Sequence, residues 1–329
     1  VVAALSHGSD ATLVNRSPAL LCCAAMMEAS APPFPLAGEA ASLGAALIWS
    51  GSISLFTKYA ADIPAPVMNF FKSTVAVICL AVAAALTAPV WGTDPWALAV
   101  LATSGVVGIS LGDTALFGAL KRLGAQITSS SQCLAPPIAA GIAALVLGET
   151  LSLRETLGML ITAGAVSGII LFSRRRGAHL AQLERATLFA GLGLAFFAAL
   201  CQGAGLVMSR QALQSVDVLY GTLARIMPAL LVLTVILIFS GNSRRLHFVV
   251  REPRRAAILA AASFAGTFLG LLLMSAGVKY TKTGIAAALN STYPIWIIPI
   301  AHFILKERVS WQAVVCTCVA VVGIALMLL

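Results

Sequence analysis

The chain has 329 residues, 60% of them apolar and only 10% charged, with a mean hydropathy of +0.97. Soluble domains carry roughly 25% charged residues, so this composition excludes an ordinary soluble globule. The net charge of +9 sits in loops, with no basic face interleaved with aromatic residues, which excludes a nucleic-acid surface.

Residues 1–36 differ from the rest and read as an extramembrane N-terminal tail. Their one apolar stretch, Leu20 to Met27, is too short to span a bilayer. A signal segment is the alternative, from Arg16 through that stretch to Ala29-Ser30-Ala31. So is an upstream extension, with initiation at Met26 or Met27. From there, apolar runs of about 20 residues follow one another, too long and too uniform for barrel strands, so the spans are helices. Ten are expected, at about 37–57, 65–87, 96–119, 125–147, 152–172, 188–209, 217–239, 256–277, 284–304 and 309–329. The fold class is an all-α polytopic membrane protein.

The chain repeats itself. Lys121 to Ser152 returns as Lys279 to Ser310, with Pro136 answering to Pro294 and Glu149 to Glu307 (294 − 136 and 307 − 149 are both 158). Gly108 and Gly112 answer to Gly266 and Gly270 at the same offset, and Lys72 answers to Arg225 (225 − 72 = 153). The halves are residues 37–173 and 188–329, joined by a basic loop at 174–187. Five spans per half is odd, so the second half must enter the membrane in the opposite sense, as an inverted repeat. Loops after spans 1, 3, 5, 7 and 9 hold fourteen Lys and Arg, against Arg154, Arg210, Lys279 and Lys282 on the other side. That bias puts the basic loops in the cytoplasm and both termini outside.

These motifs carry a family resemblance. LGAALIWSGSISLFTK in span 1, GISLGDTALFGALKRLGA into span 4, Pro136, LGETLSLRETLG, and in the second half Gly270, Pro294 and LKERVS resemble the drug/metabolite transporter superfamily. The specific likeness is to its EamA-type ten-helix exporters, and within them to the YddG-like amino-acid exporters. The resemblance implies two inverted five-helix repeats around a cavity made mainly by spans 1, 3, 4, 6, 8 and 9. Two features depart from it. The loop from Thr87 to Pro95 lacks the basic residues of many relatives, and span 1 has only Glu39, at its edge, where small proton-coupled relatives carry a buried glutamate.

Charge inside a membrane costs about 2.5–3.5 kcal/mol at a helix centre, so each buried charge calls for an account. Asp113 and Lys72 lie at similar depth and can pair, as a gate or proton-sensitive switch or as a structural ion pair. Arg225 either binds a substrate carboxylate or snorkels to the headgroups. His302 reads as a packed or lipid-edge side chain, and Glu149 and Glu307 as aids to helices capped by Ser152 and Ser310.

Cys79, Cys133, Cys201, Cys316 and Cys318 lie in apolar runs and read as small hydrophobes, with no metal or cofactor site implied. The substrate-cavity candidates are Trp49, Ser50, Ser110, Gln132, Gln202, Asn290 and Tyr293. Pro136 and Pro294 are the candidate helix hinges, each freeing a backbone carbonyl one turn back.

The reading is a secondary transporter of the bacterial inner membrane, monomeric or homodimeric. It exports small neutral or zwitterionic metabolites, foremost amino acids, by alternating access. The alternative is a transporter of another solute such as a drug or nucleotide sugar. A membrane-embedded enzyme is a distant third, since no nucleophile stands beside a matched base and no catalytic residue is assigned.

Overall fold

The computed structural model describes residues 36–86, 94–147, 152–175, 184–281, 289–303 and 311–328. Glu149, Glu307, Ser310, Lys282 and the expected tail lie outside the described residues. Among those described, every regular element is a helix. They are α1 (Ala37–Tyr59), α2 (Ala65–Leu86), α3 (Pro95–Leu123), α4 (125–147), α5 (Leu153–Arg175), α6 (Arg185–Ser215), α7 (Val218–Phe239), α8 (Pro253–Tyr280), α9 (Tyr293–Phe303) and α10 (Trp311–Leu328). Six of them, α1, α2, α3, α6, α7 and α8, contain segments long and apolar enough to cross a membrane, and Val314–Leu326 is a shorter apolar stretch. Large apolar side chains such as Ile78, Leu160, Leu231 and Val322 are exposed, as a lipid-facing surface requires.

Local sequence sets the helix ends. Asp94 accepts a hydrogen bond from the Trp96 amide (3.0 Å) ahead of Pro95, and Asp217 accepts from the Leu219 amide (2.8 Å). Ser152 caps α5, with Glu155 as its partner. The Ser152 amide donates to Glu155 Oε2 (2.6 Å) and the Glu155 amide to Ser152 Oγ (3.2 Å), a reciprocal box. Gly124, with φ of 80°, turns the chain from α3 into α4.

Packing runs crosswise. α1 lies on α8, α2 on α7, α3 on α6 and α5 on α10. Each pair joins a helix from the first half of the chain to one from the second. Along α1 and α8 the contacts run in opposite sequence directions. Thr281 Oγ1 donates to Glu39 Oε1 (2.6 Å), Trp49 Nε1 to the Gly266 carbonyl (2.8 Å), and Arg255 Nε to the Tyr59 carbonyl (2.7 Å). Without strong hydrophobic attraction between helices in lipid, small residues and such bonds hold the pairs, each bond contributing on the order of 0.6 kcal/mol. Gly105 is the closest approach among the described glycines: a Cβ there would run into the Arg225 carbonyl of α7.

Both α3 and α8 widen into a π-helical turn at mid-length, Val106–Gly112 and Phe264–Leu269. The two start at repeat-related positions (264 − 106 = 158). Such turns leave carbonyls for side chains to take. Trp49 takes that of Gly266, and Asn69 Nδ2 bonds the Ile109 carbonyl (2.8 Å).

The expected proline effect takes a different form. α4 tightens to a 3₁₀ turn over Gln132–Leu134, where the amide at Ala135 donates to the Gln132 carbonyl. The Gln132 carbonyl oxygen that Pro136 cannot serve is therefore recaptured locally. On the Pro294 side, the chain turns at Ser291 and Thr292 before α9 begins.

Candidate substrate cavity

A cavity of about 200 Å³ lies between the crosswise pairs, lined from α1, α2, α3, α4, α6, α7 and α8 and from the turn leading into α9. Trp49, Gln132, Gln202, Asn290 and Tyr293 line it, as do Lys72, Asp113, Arg225 and Pro136. Ser50, Ser110 and Pro294 do not. The Ser50 hydroxyl donates to the Leu47 carbonyl (2.6 Å), and that of Ser110 to the Ala229 carbonyl (2.8 Å). Ser50 thus bonds the preceding turn of its own helix, and Ser110 ties α3 to α7.

The polar floor is one network. Lys72 Nζ stands 2.6 Å from Asp113 Oδ2, and Gln202 Nε2 donates to Asp113 Oδ1 (2.8 Å). Both oxygens of the aspartate are thus engaged by two different helices. The Lys72 ammonium also lies 5.9 Å from the centre of the Phe117 ring. One helical turn earlier on α2, Asn69 binds two carbonyls of the π turn and Thr114 Oγ1 (2.8 Å). Sequence reasoning misses Asn69. Its signal is a lone amide three residues before a buried lysine, on the same helix face.

Arg225 is 5% exposed and faces the cavity. Its one hydrogen bond among the described residues runs from Nε to Ser104 Oγ (3.2 Å). At the repeat position of Asp113 stands Leu271 (271 − 113 = 158), which also lines the cavity. The second half therefore keeps the cation and lacks the acid.

The remaining walls are aromatic and apolar. Trp49 and Tyr293 meet edge to face at 6.3 Å, and the Tyr293 hydroxyl donates to the Ser129 carbonyl (3.2 Å). Phe56 and Phe117 pack edge to face at 5.4 Å. Together with Leu120 they also line a second pocket of about 210 Å³ beside Lys121. Gln132 Nε2 donates to the Ala195 carbonyl (3.2 Å), while among the described residues its Oε1 is buried with no donor, as is Asn290 Oδ1. His302 is exposed on α9, away from the cavity. Among the described residues no cluster of His, Cys, Asp or Glu is arranged to hold a metal, and the cysteines are free.

Besides Lys72 and Arg225, the lining among the described residues is amide, hydroxyl, aromatic and apolar, and Asp113 is its one acid. A protein of Archaeoglobus fulgidus described as an uncharacterized transporter is 26% identical over 293 residues, covering 88% of this chain and 96% of its own. A solved crystal structure superposes with a TM-score of 0.63 at 16% identity, over 88% of this chain and 95% of that one, a likeness of fold alone. The EamA-like transporter family matches twice, over residues 36–171 and again over 189–329, the same two halves whose helices close the cavity between them. The chain, a membrane protein built on that duplicated pattern, therefore belongs to the EamA-like transporter family.

Proposed function

We propose that this transporter exports small neutral or zwitterionic metabolites, amino acids foremost, by alternating access at the cavity between its halves. The observation that carries this reading is the lining itself: amide, hydroxyl and aromatic side chains from both halves, with only Lys72, Asp113 and Arg225 charged among the described residues. A nucleotide sugar or phosphate would call for several free cations there, and one is not a sufficient supply. The likeness to YddG-type exporters points the same way.

The architecture that goes with this function is ten spans in two inverted five-helix repeats, in the inner membrane of a bacterium, with both termini outside. Crosswise antiparallel contact between α1 and α8 and the matched π turns support it. Pro136, Pro294 and those turns are the places where the helices bend as the halves rock. The Lys72–Asp113–Gln202 network ties α2, α3 and α6 together and is the switch or the brace of that motion. The outer pair α5 and α10 packs the molecule, as a monomer or against a second copy.

Uptake into proteoliposomes of a panel of labelled amino acids, with and without a pH gradient, tests the function. Saturable uptake of neutral amino acids is the expected result. Absence of uptake for every amino acid, from folded protein, would remove the substrate class. A cysteine added at the C-terminus should react with impermeant reagents on intact cells; reaction with permeant reagents alone refutes the orientation.

A further inference from the structure

We infer that the edge-to-face pair of Phe56 and Phe117 is the door of the cavity: the solute passes between these rings, and the pocket beside Lys121 is the vestibule on their far side. The inference rests on the cavity as the solute's path and adds where that path meets the surface.

Two neighbouring spaces share one wall. Phe56, Phe117 and Leu120 line both the cavity and the second pocket, and all three are buried. On the cavity side, Ile53 of α1 and Leu116 of α3 come next. On the other side the pocket runs past Thr57 and Met68 to Ala61 and Lys121, which are exposed where α1 and α3 end. Among the described residues, one layer of side chains thus separates the cavity from the surface here. The opposite end is built differently. Leu206 and Val278, which line the cavity there, belong to a buried apolar cluster with Leu101, Leu213 and Val216. The repeat mates of the two rings are Met208 and Ser275 (208 − 56 = 152, 275 − 117 = 158), so the aromatic pair has no counterpart. Ser275 instead accepts a hydrogen bond from Thr222 Oγ1 (3.1 Å), which ties α8 to α7.

The rings suit a part that moves. They meet at 5.4 Å and 73° and hold each other by contact alone, with no hydrogen bond to break. Phe117 is also linked to the charged network. Lys72 Nζ lies 5.9 Å from its ring centre and 2.6 Å from Asp113 Oδ2, and Asp113 stands one helical turn before Phe117 on α3. One lysine thus touches both the acid of the cavity and the ring of the door, so a solute that disturbs the ion pair also loosens the ring. The door sets what passes. Phe56, Phe117 and Leu120 offer no side-chain hydrogen-bond partner, so a solute's polar groups cross between them unaccompanied. That cost grows steeply with charge, which favours small solutes of low net charge over phosphates.

The test follows one cysteine, Ile53→Cys, in the full chain with its seven native cysteines replaced by alanine. The protein is held in nanodiscs, so that both faces meet a small charged methanethiosulfonate reagent, and the rate of modification is read. Phe56→Leu and Phe117→Leu keep the wall apolar and filled but remove the ring pair, and each should speed modification about 2- to 10-fold. Ala61→Trp, which fills the vestibule, should slow it. Val278→Ala, at the opposite end, should leave it unchanged. A rate indifferent to both leucine variants, in protein that elutes as a folded species, overturns the inference. So does a rise in Val278→Ala alone, which would put the opening at the other end. A cysteine that reacts in none of the variants overturns both the door and the cavity as a path. The readout needs no solute, so failure of every amino acid in uptake removes the proposed substrate and leaves the door standing.

Discussion

Lys72 and Arg225 occupy matching places in the two halves, yet the halves treat them differently. In the first, the cation meets Asp113 at 2.6 Å, a second helix closes the aspartate through Gln202, and the π turn beside it is held by Asn69. In the second, the position of the acid is Leu271, and the guanidinium's one hydrogen bond among the described residues goes to the Ser104 hydroxyl. The two repeat-related cations thus differ in kind: one is ion-paired directly, and the other is hydrogen-bonded to a neutral hydroxyl.

The largest break in this comparison comes from removing the acid. Asp113→Leu strands a buried ammonium and should destabilise the protein by about 3–5 kcal/mol, read as a lower unfolding temperature or loss of monodisperse protein in detergent. The double variant Lys72→Met with Asp113→Leu should recover most of that, since an apolar pair of similar volume is often neutral. Recovery of folding without recovery of transport would make the network a switch and not only a brace.

Next in size is the reverse change. Leu271→Asp gives the second half the acid it lacks. If the halves differ for the reason argued, the new carboxylate occupies Arg225 and weakens substrate binding by about 10- to 100-fold, while the unfolding temperature holds or rises. Unchanged substrate affinity in a folded Leu271→Asp protein would break the comparison.

A smaller effect tests how firmly Arg225 is placed. Gly105→Ala must push α3 from α7, and overpacking of this kind costs about 1–3 kcal/mol. Gly51, where an added Cβ would meet nothing within 4 Å, is the control and should tolerate alanine with little loss.

The smallest belongs to the pair outside the membrane. Asp62 and Arg255 join the loop after α1 to the start of α8, Arg255 Nη1 lying 3.1 Å from Asp62 Oδ2. The hydrogen bond from Arg255 holds the Asp62 carboxyl below its ordinary range. With a depressed folded-state value, the stabilisation is full above the unfolded carboxyl's pKa, about 3.9, and fades as pH falls through the folded one. Because Asp62 is 69% exposed, solvent screening keeps the contribution below about 1 kcal/mol. Thermal unfolding of Asp62→Asn against the native chain between pH 3 and 7 should show a small gap at neutral pH that closes on acidification. A gap that widens in acid would reverse the sign.

How far the sequence reaches can be judged residue by residue. Lys72 and Asp113 are legible as partners because charge is rare in apolar helices and the two lie at one depth. Ser152 is legible as a cap, and the structure adds its partner: the glutamate three residues after it completes the box. Ser50 and Ser110 are expected in the cavity and turn to backbone carbonyls instead. The sequence contains a serine's position but not the direction of its hydroxyl. The π turns are invisible, since no local signal in VVGISLG or FAGTFL distinguishes them from ordinary helix.

Sequence alone determined the membrane character, the all-helical class and the family, because hydropathy and a constant repeat offset are properties of a string. Only the tertiary structure decided which polar groups bond one another. That division depends on contacts between helices far apart in the chain. Asp113 is bonded by Lys72 and Gln202, and Arg225 by the Ser104 hydroxyl; neither contact exists until α2, α3, α6 and α7 close on a common space.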